Sequence, residues 1–145
     1  MKYNTKNAQY LIRKFINHIM IDGKKQKAEK FFLEAVKFIQ RKENKNALLF
    51  FFSALENIKP LVELRSVRRG GATYQIPIPL KEKRSLSLGI KSLLESVKKK
   101  RGSFSLNLSQ VLLEASKNQG EGVKKRESIH SLALKNRSFT HFRWF

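Results

Sequence analysis

Lysine and arginine are the side chains of this sequence whose number and grouping could do chemistry, and that chemistry is the binding of phosphate oxygens. They gather at Lys24, Lys25 and Lys27, at Arg65, Arg68 and Arg69, and at Lys81, Lys83 and Arg84. Further groups are Lys98-Lys99-Lys100-Arg101, Lys124-Lys125-Arg126, and Arg137, His141 and Arg143 interleaved with Phe139, Phe142 and Trp144. Arginine presents a planar fork that matches phosphate, and the Gly70-Gly71 pair beside Arg68-Arg69 lets bare backbone come close without Cβ bulk. Cations at a helix C-terminus also complement its dipole, so Lys98–Arg101 has two readings. Lys124–Arg126 reads as the opening of a helix, where cations oppose the dipole and an external anion is expected to compensate.

Other chemistry has little to stand on. There is no cysteine, which excludes a disulfide scaffold, a thiol nucleophile and thiolate metal sites. His18, His130 and His141 are too scattered for a metal motif, and His18 reads as a residue flanking the core face of the first helix. The phosphate loop GxxxxGK[ST], the GxGxxG turn and the serine nucleophile elbow are all missing. Ten of the eleven acids are Glu, set singly among Lys and Arg, where they read as local partners along helices. No enzyme, metal or cofactor is expected.

The chain has 145 residues with 31 Lys+Arg against 11 Asp+Glu, a net charge of +20. Residues 1–58 carry +7 and residues 59–145 carry +13, so the charge is spread and is not a tail. A composition that is 41% hydrophobic supplies a core, and the length suits one domain over residues 1–145. Such self-repulsion points to a polyanionic neighbour: nucleic acid first, an anionic membrane surface second. Folded RNA suits a ribbon probe better than a DNA groove does, since no helix lines up Asn, Gln and Arg for base reading. The closing aromatics read either as a lock on the helical core or as surfaces for base stacking. No apolar run nears the roughly 18–20 residues of a membrane span. Met1–Asn7 is polar and basic, unlike a secretory signal or a transit peptide, so a protein that is soluble and intracellular, or made inside the compartment where it works, is expected.

The elements that must position these cations follow from hydrophobic periodicity. Leu11, Phe15, Ile16 and Ile19 predict a helix over 8–21, ended by Asp22-Gly23. Ala28, Phe31, Phe32, Ala35, Val36 and Ile39 predict a second over 27–41, and Leu48, Phe51, Phe52, Leu55 and Ile58 a third over 47–58. Period-two runs on either side of Gly70-Gly71 predict a β-ribbon over about 61–80, with Pro77 and Pro79 confining it to an edge or a free arm. Such a ribbon should lean on helices at its base and a ligand at its tip. Helical spacing returns at 86–97, after Ser105, and over 123–135, and an irregular tail follows from Arg137. The fold class is mainly α: a bundle of about six helices with a protruding two-stranded ribbon between the third and fourth.

Several blocks then resemble the seventh small-subunit ribosomal protein family. They are Phe15-Ile16-Asn17 through Met20-Ile21-Asp22-Gly23-Lys24-Lys25, Ala54-Leu55-Glu56-Asn57-Ile58-Lys59-Pro60-Leu61-Val62-Glu63, and Gly70-Gly71-Ala72-Thr73-Tyr74-Gln75-Ile76-Pro77. Val123-Lys124-Lys125-Arg126-Glu127 and Phe139-Thr140-His141-Phe142-Arg143-Trp144 look like its closing signature. The resemblance implies binding to the 3′ major domain of small-subunit rRNA, nucleation of the subunit head, and a place beside exit-site tRNA and mRNA. It implies as partners the neighbouring head and platform proteins, and no membrane. Lys24 and Lys25 match rRNA-facing positions, and the clusters above, with Gly70, Gly71 and Tyr74, form the expected rRNA-binding set.

This chain departs from the family at several points. Where the family usually has Lys-Ser-Arg-Arg-Val-Gly-Gly, it has Arg65-Ser66-Val67-Arg68-Arg69-Gly70-Gly71. The paired arginines at the ribbon base match Arg84 and Ser85, and the usual tryptophan of the fourth helix falls at Ser92. The basic N-terminal arm is expected to be reduced to Met1–Asn7. Lysine, phenylalanine and asparagine number 21, 11 and 9, the bias of an AT-rich genome. An organelle-encoded protein of the mitochondrial matrix is the expectation, with bacterial cytoplasm or plastid as alternatives.

Overall fold

The computed structural model describes residues 5–44 and 46–143, so expectations placed on Met1–Asn4, Lys45, Trp144 and Phe145 lie outside the described residues. In chain order the elements are α1 (Thr5–Ile19), α2 (Lys25–Glu43), α3 (Ala47–Ile58), β1 (Val62–Arg69), β2 (Ala72–Pro79), α4 (Glu82–Lys99), α5 (Phe104–Ser116) and α6 (Glu121–Lys135). A 3₁₀ helix, Arg137–Phe142, follows where the sequence suggested an irregular tail. The mainly helical class and the ribbon between α3 and α4 agree with the periodicity.

The apolar stripes of α1, α2 and α3 meet in a cluster of phenylalanines. Phe15 lies 5.1 Å from Phe51 and 5.7 Å from Phe32, and Phe51 touches Phe32 at 5.2 Å and Phe52 at 5.4 Å. Burying each such ring contributes about 1.5–3 kcal/mol. The middle of the bundle is α5, whose Leu108, Val111, Leu112 and Ala115 are buried and which packs on α2, α3 and α4. Phe31, which the spacing placed inward on α2, is 39% exposed and leans on Phe104 at 5.5 Å instead.

Local chemistry ends these helices where the bundle needs them to end. Asn44 takes the left-handed conformation at φ 47°, and its N–H donates to Gln40 O. Asn46 Oδ1 accepts from the Leu48 N–H at 3.1 Å and starts α3. The side chain of Asn57 donates to Ala115 O at 3.0 Å and Ser116 O at 3.1 Å, tying the last carbonyls of α5 to α3. Where α4 crosses the end of α3, a Cβ on Gly89 would come within 3.0 Å of Ile58 O, so only glycine fits without a shift.

The ribbon is antiparallel, with register from Val62↔Pro79 to Arg69↔Ala72. Gly70 and Gly71 have φ of 56° and 83°, the paired positive values of a type I′ turn. The Leu80 N–H donates to Leu61 O at 3.0 Å, which sets the alternation of hydrogen-bonded pairs along the ladder. Pro77 and Pro79 fall in the non-hydrogen-bonded pairs, where the missing N–H would have pointed outward. Period two places Arg65, Val67 and Arg69 on one face with Tyr74 and Ile76, and Ser66 and Arg68 on the other. Ile76 is fully buried, so the first of these is the inner face.

Candidate nucleic-acid interface

Most of the basic clusters reach solvent, but they are not equally free. Lys24, Lys25 and Lys27 are exposed around the start of α2, with Lys25 3.7 Å from Glu29. Lys24 and Lys27 border a cleft lined by Ile19, Met20, Ile21, Ala28 and Phe31. At the ribbon base Lys81, Lys83 and Arg84 are exposed, and Arg84 Nε donates to Glu63 Oε2 at 2.8 Å. Lys98 and Lys99 in the last turn of α4 and Arg101 just beyond it are exposed, whereas Lys100 is half-buried and pairs with Glu114 at 2.8 Å. Lys99, Lys124 and Lys125 line one groove between α4 and α6, so two clusters far apart in sequence meet there.

Carboxylates neutralise few of these cations, and they act between elements more than along helices. Lys25–Glu29 and Lys59–Glu56 have the local spacing the sequence suggests. Lys59–Glu82, Arg84–Glu63, Lys99–Glu121, Lys100–Glu114, Lys117–Glu43 and Lys125–Glu95 instead join different elements. Exposed pairs of this kind contribute about 0–1 kcal/mol each. Their main effect is to orient lysine stems and leave a surplus of positive charge facing outward.

The cluster at the start of α6 needs a correction. The periodicity started the helix near Val123, which put Lys124–Arg126 in its first turn and called for an external anion. The helix starts at Glu121, and Glu121 supplies the acid its first turn favours. Lys124–Arg126 therefore stand a turn further in, where the dipole effect has faded. Lys125 pairs with Glu95, and Arg126 donates to Asn57 O at the C-terminus of α3. Arg126 is half-buried and works inside the fold, its Nε buried without a partner. Lys124 alone of the three is exposed with no ion pair among the described residues.

The closing aromatics also sit differently from the expectation of a lock on the helical core. Tyr74 of β2 lies 5.1 Å from both Phe139 and Phe142, so the 3₁₀ helix packs on the ribbon. Arg69 Cζ stands 5.1 Å from the Phe142 ring centroid. Arg137, His141 and Arg143 are exposed along the same segment, and His141 Nδ1 donates to Ser138 O at 2.6 Å. Arg65 and Arg68 are exposed, on opposite faces of β1.

Cations that stand singly in the sequence also reach solvent. Lys30, Lys37 and Arg41 are exposed on α2 at i, i+7 and i+11, a spacing that puts them on one face. That spacing was the available signal. Among the described residues no three of His, Cys, Asp and Glu gather as metal ligands, and no helix is long and apolar enough to cross a membrane.

His18 is half-buried on α1, with Nε2 buried and unpartnered. Burial first, then Lys14 one turn before it and Lys91 on α4, hold its imidazole below the ordinary value of 6.5. The unfolded chain takes up this proton before the folded one does. Stability from this site is therefore present above 6.5 and falls as pH drops through 6.5 toward the lower folded value. Urea midpoints at two pH values across that window should converge in His18→Gln relative to the wild type. An unchanged pH difference would remove His18 as its source.

Comparison with known proteins adds a further observation. A family model described as ribosomal protein S7p/S5e matches residues 1–137. Small ribosomal subunit protein uS7 of Rhizobium johnstonii is 44% identical over 140 residues, 96% of this chain and 90% of that protein. The protein of the same name from Aliivibrio salmonicida is 42% identical over 135 residues, 92% of this chain and 86% of its own length. That of Fervidobacterium nodosum is 40% identical over 138 residues, 94% and 89% respectively.

Proposed function

Because the chain belongs to the ribosomal protein S7p/S5e family, a family of structural proteins and not of enzymes, we propose that it binds the 3′ major domain of small-subunit rRNA. In this reading it nucleates assembly of the subunit head, contacts neighbouring head and platform proteins, and lies near exit-site tRNA and mRNA. The observation that supports it best is the distribution of exposed cations: both ends of α4, the start of α2 and the ribbon all turn lysine or arginine to solvent. A surface of this kind follows an irregular phosphate backbone by shape and not by base sequence.

The expected contact set is the one read from the sequence, and the geometry ranks its members. Arg65, Arg68, Lys81, Lys83, Lys98, Lys99, Arg101 and Lys124 are exposed and suited to phosphate. Val67 and Arg69 share the inner ribbon face, so the exchange of arginine and apolar residue relative to the family order moves one cation by two residues, about 7 Å, toward the tip. Ser85 is buried, and its hydroxyl donates to Pro60 O at 2.6 Å, so this position serves the fold where the family has its second arginine. The unit of function is residues 1–145 as one domain. The Lys, Phe and Asn bias supports an organellar ribosome, that of mitochondria, for its place of work.

Competition settles the reading against a nucleoid-type DNA binder. At matched salt the full chain should prefer a folded 3′-major-domain rRNA fragment to duplex DNA by at least about tenfold, the gap between shape-fitted and non-specific phosphate binding. Equal affinity for the two would overturn it.

A further inference from the structure

We propose that the closing 3₁₀ helix is a brace for the ribbon, and that Phe139 and Phe142 are positioning residues that set Arg69 and Tyr74 for RNA. The inference deepens the rRNA-binding reading and rests on it for the ligand. A two-stranded ribbon is marginal in water by itself. Here β1 packs on α6, and the 3₁₀ helix that continues from α6 returns to cover β2.

The contact suits that task by geometry. A 3₁₀ helix has three residues per turn, so side chains three apart eclipse one another. Phe139 and Phe142 accordingly lie almost parallel, 8° apart with centroids at 6.2 Å, and present one aromatic wall. Tyr74 meets that wall with tilts of about 50°, as edge-favouring rings do. Arg69 lies on the same inner face but on the other strand, with its guanidinium over Phe142. The wall therefore grips both strands at once, close to the Gly70-Gly71 turn.

The segment is itself held. Asn136 Nδ2 donates to Leu132 O at 3.0 Å at the end of α6, the Phe139 N–H to Asn136 O at 3.1 Å, and Thr140 Oγ1 to Arg137 O at 2.8 Å. A guanidinium resting on a ring loses rotamer freedom yet keeps its charge and its N–H edge. An unbraced tip would spend part of its time in arrangements that cannot bind, and apparent affinity falls by the competent fraction.

Amide exchange in the free full-length protein, paired with affinity for a small-subunit rRNA fragment, tests this. In Phe139→Leu/Phe142→Leu, exchange at Val67, Arg69 and Tyr74 should accelerate while amides of α3 and α5 keep their protection. Affinity should fall roughly 3- to 10-fold. Phe142→Trp should restore it, and Phe142→Leu should change affinity less than about twofold once Arg69→Gln is present, since the guanidinium it positions is then gone. Unchanged ribbon exchange, or strictly additive effects of Phe142→Leu and Arg69→Gln, would overturn the brace. A wild-type chain that binds no rRNA fragment would defeat the rRNA reading instead, and the exchange experiment would still decide whether the brace exists.

Discussion

Affinity of the chain for a small-subunit rRNA fragment should fall by roughly 10³–10⁴ between 50 and 200 mM salt, if about eight exposed cations each meet one phosphate. Each such contact releases condensed counterions and lowers the slope of log affinity against log salt by about 0.7–0.9. The structure identifies which cations can contribute. Lys125 is held by Glu95 and Lys100 by Glu114, so these enter with part of their charge already answered. Lys124, Arg68, Lys98 and Arg101 are exposed with no acidic partner among the described residues. Replacing any one of these four by Ala should lower the slope by about one contact's worth and leave the thermal transition in place. Anisotropy titrations at several salt concentrations measure both quantities. A flat salt response would contradict phosphate-driven binding outright.

Arg126→Ala should cost about 2 kcal/mol of unfolding free energy, close to thirtyfold in the ratio of folded to unfolded chain. Its guanidinium donates to Asn57 O at the last turn of α3, a carbonyl with no helical partner of its own. The same Asn57 secures the end of α5 through its side chain, so one residue joins three helices. A charge-assisted bond of this kind contributes about 1.5–3 kcal/mol, and its loss leaves the carbonyl without a donor. Lys124→Ala, two residues away and exposed, should change stability by no more than about 0.5 kcal/mol. Urea denaturation of both variants separates the roles. An Arg126→Ala protein as stable as the wild type would overturn this role of the guanidinium in joining α6 to α3.

Elements whose signal is local were legible in the sequence. The stripe Leu11, Phe15, Ile16 and Ile19 marked α1, the bounds of α3 were read as Ala47–Ile58, and Gly70-Gly71 located the hairpin turn. What escaped depends on pairs far apart along the chain. Nothing near Arg126 reveals that its partner is a carbonyl 69 residues earlier, and the misplaced start of α6 made the cluster look uncompensated. The spacing of Phe139 and Phe142 fits a 3₁₀ turn, but only the fold shows that Tyr74 and not the bundle receives them. Charge was legible as composition. Which cations are spent on Glu43, Glu63, Glu95 and Glu114 became visible only when the helices were side by side.

The outward prolines of β2 bear on how this chain avoids its own copies. A two-stranded ribbon has two open edges, and each is a template on which another strand could add. Along the outer edge of β2 the free donors would come from Thr73, Gln75, residue 77 and residue 79, and proline removes the last two. A second ribbon approaching that side finds no ladder to continue near the base, and near the tip it meets like charge from Arg68 and Arg69. The free chain is thereby shielded from strand-by-strand aggregation along that edge of the ribbon.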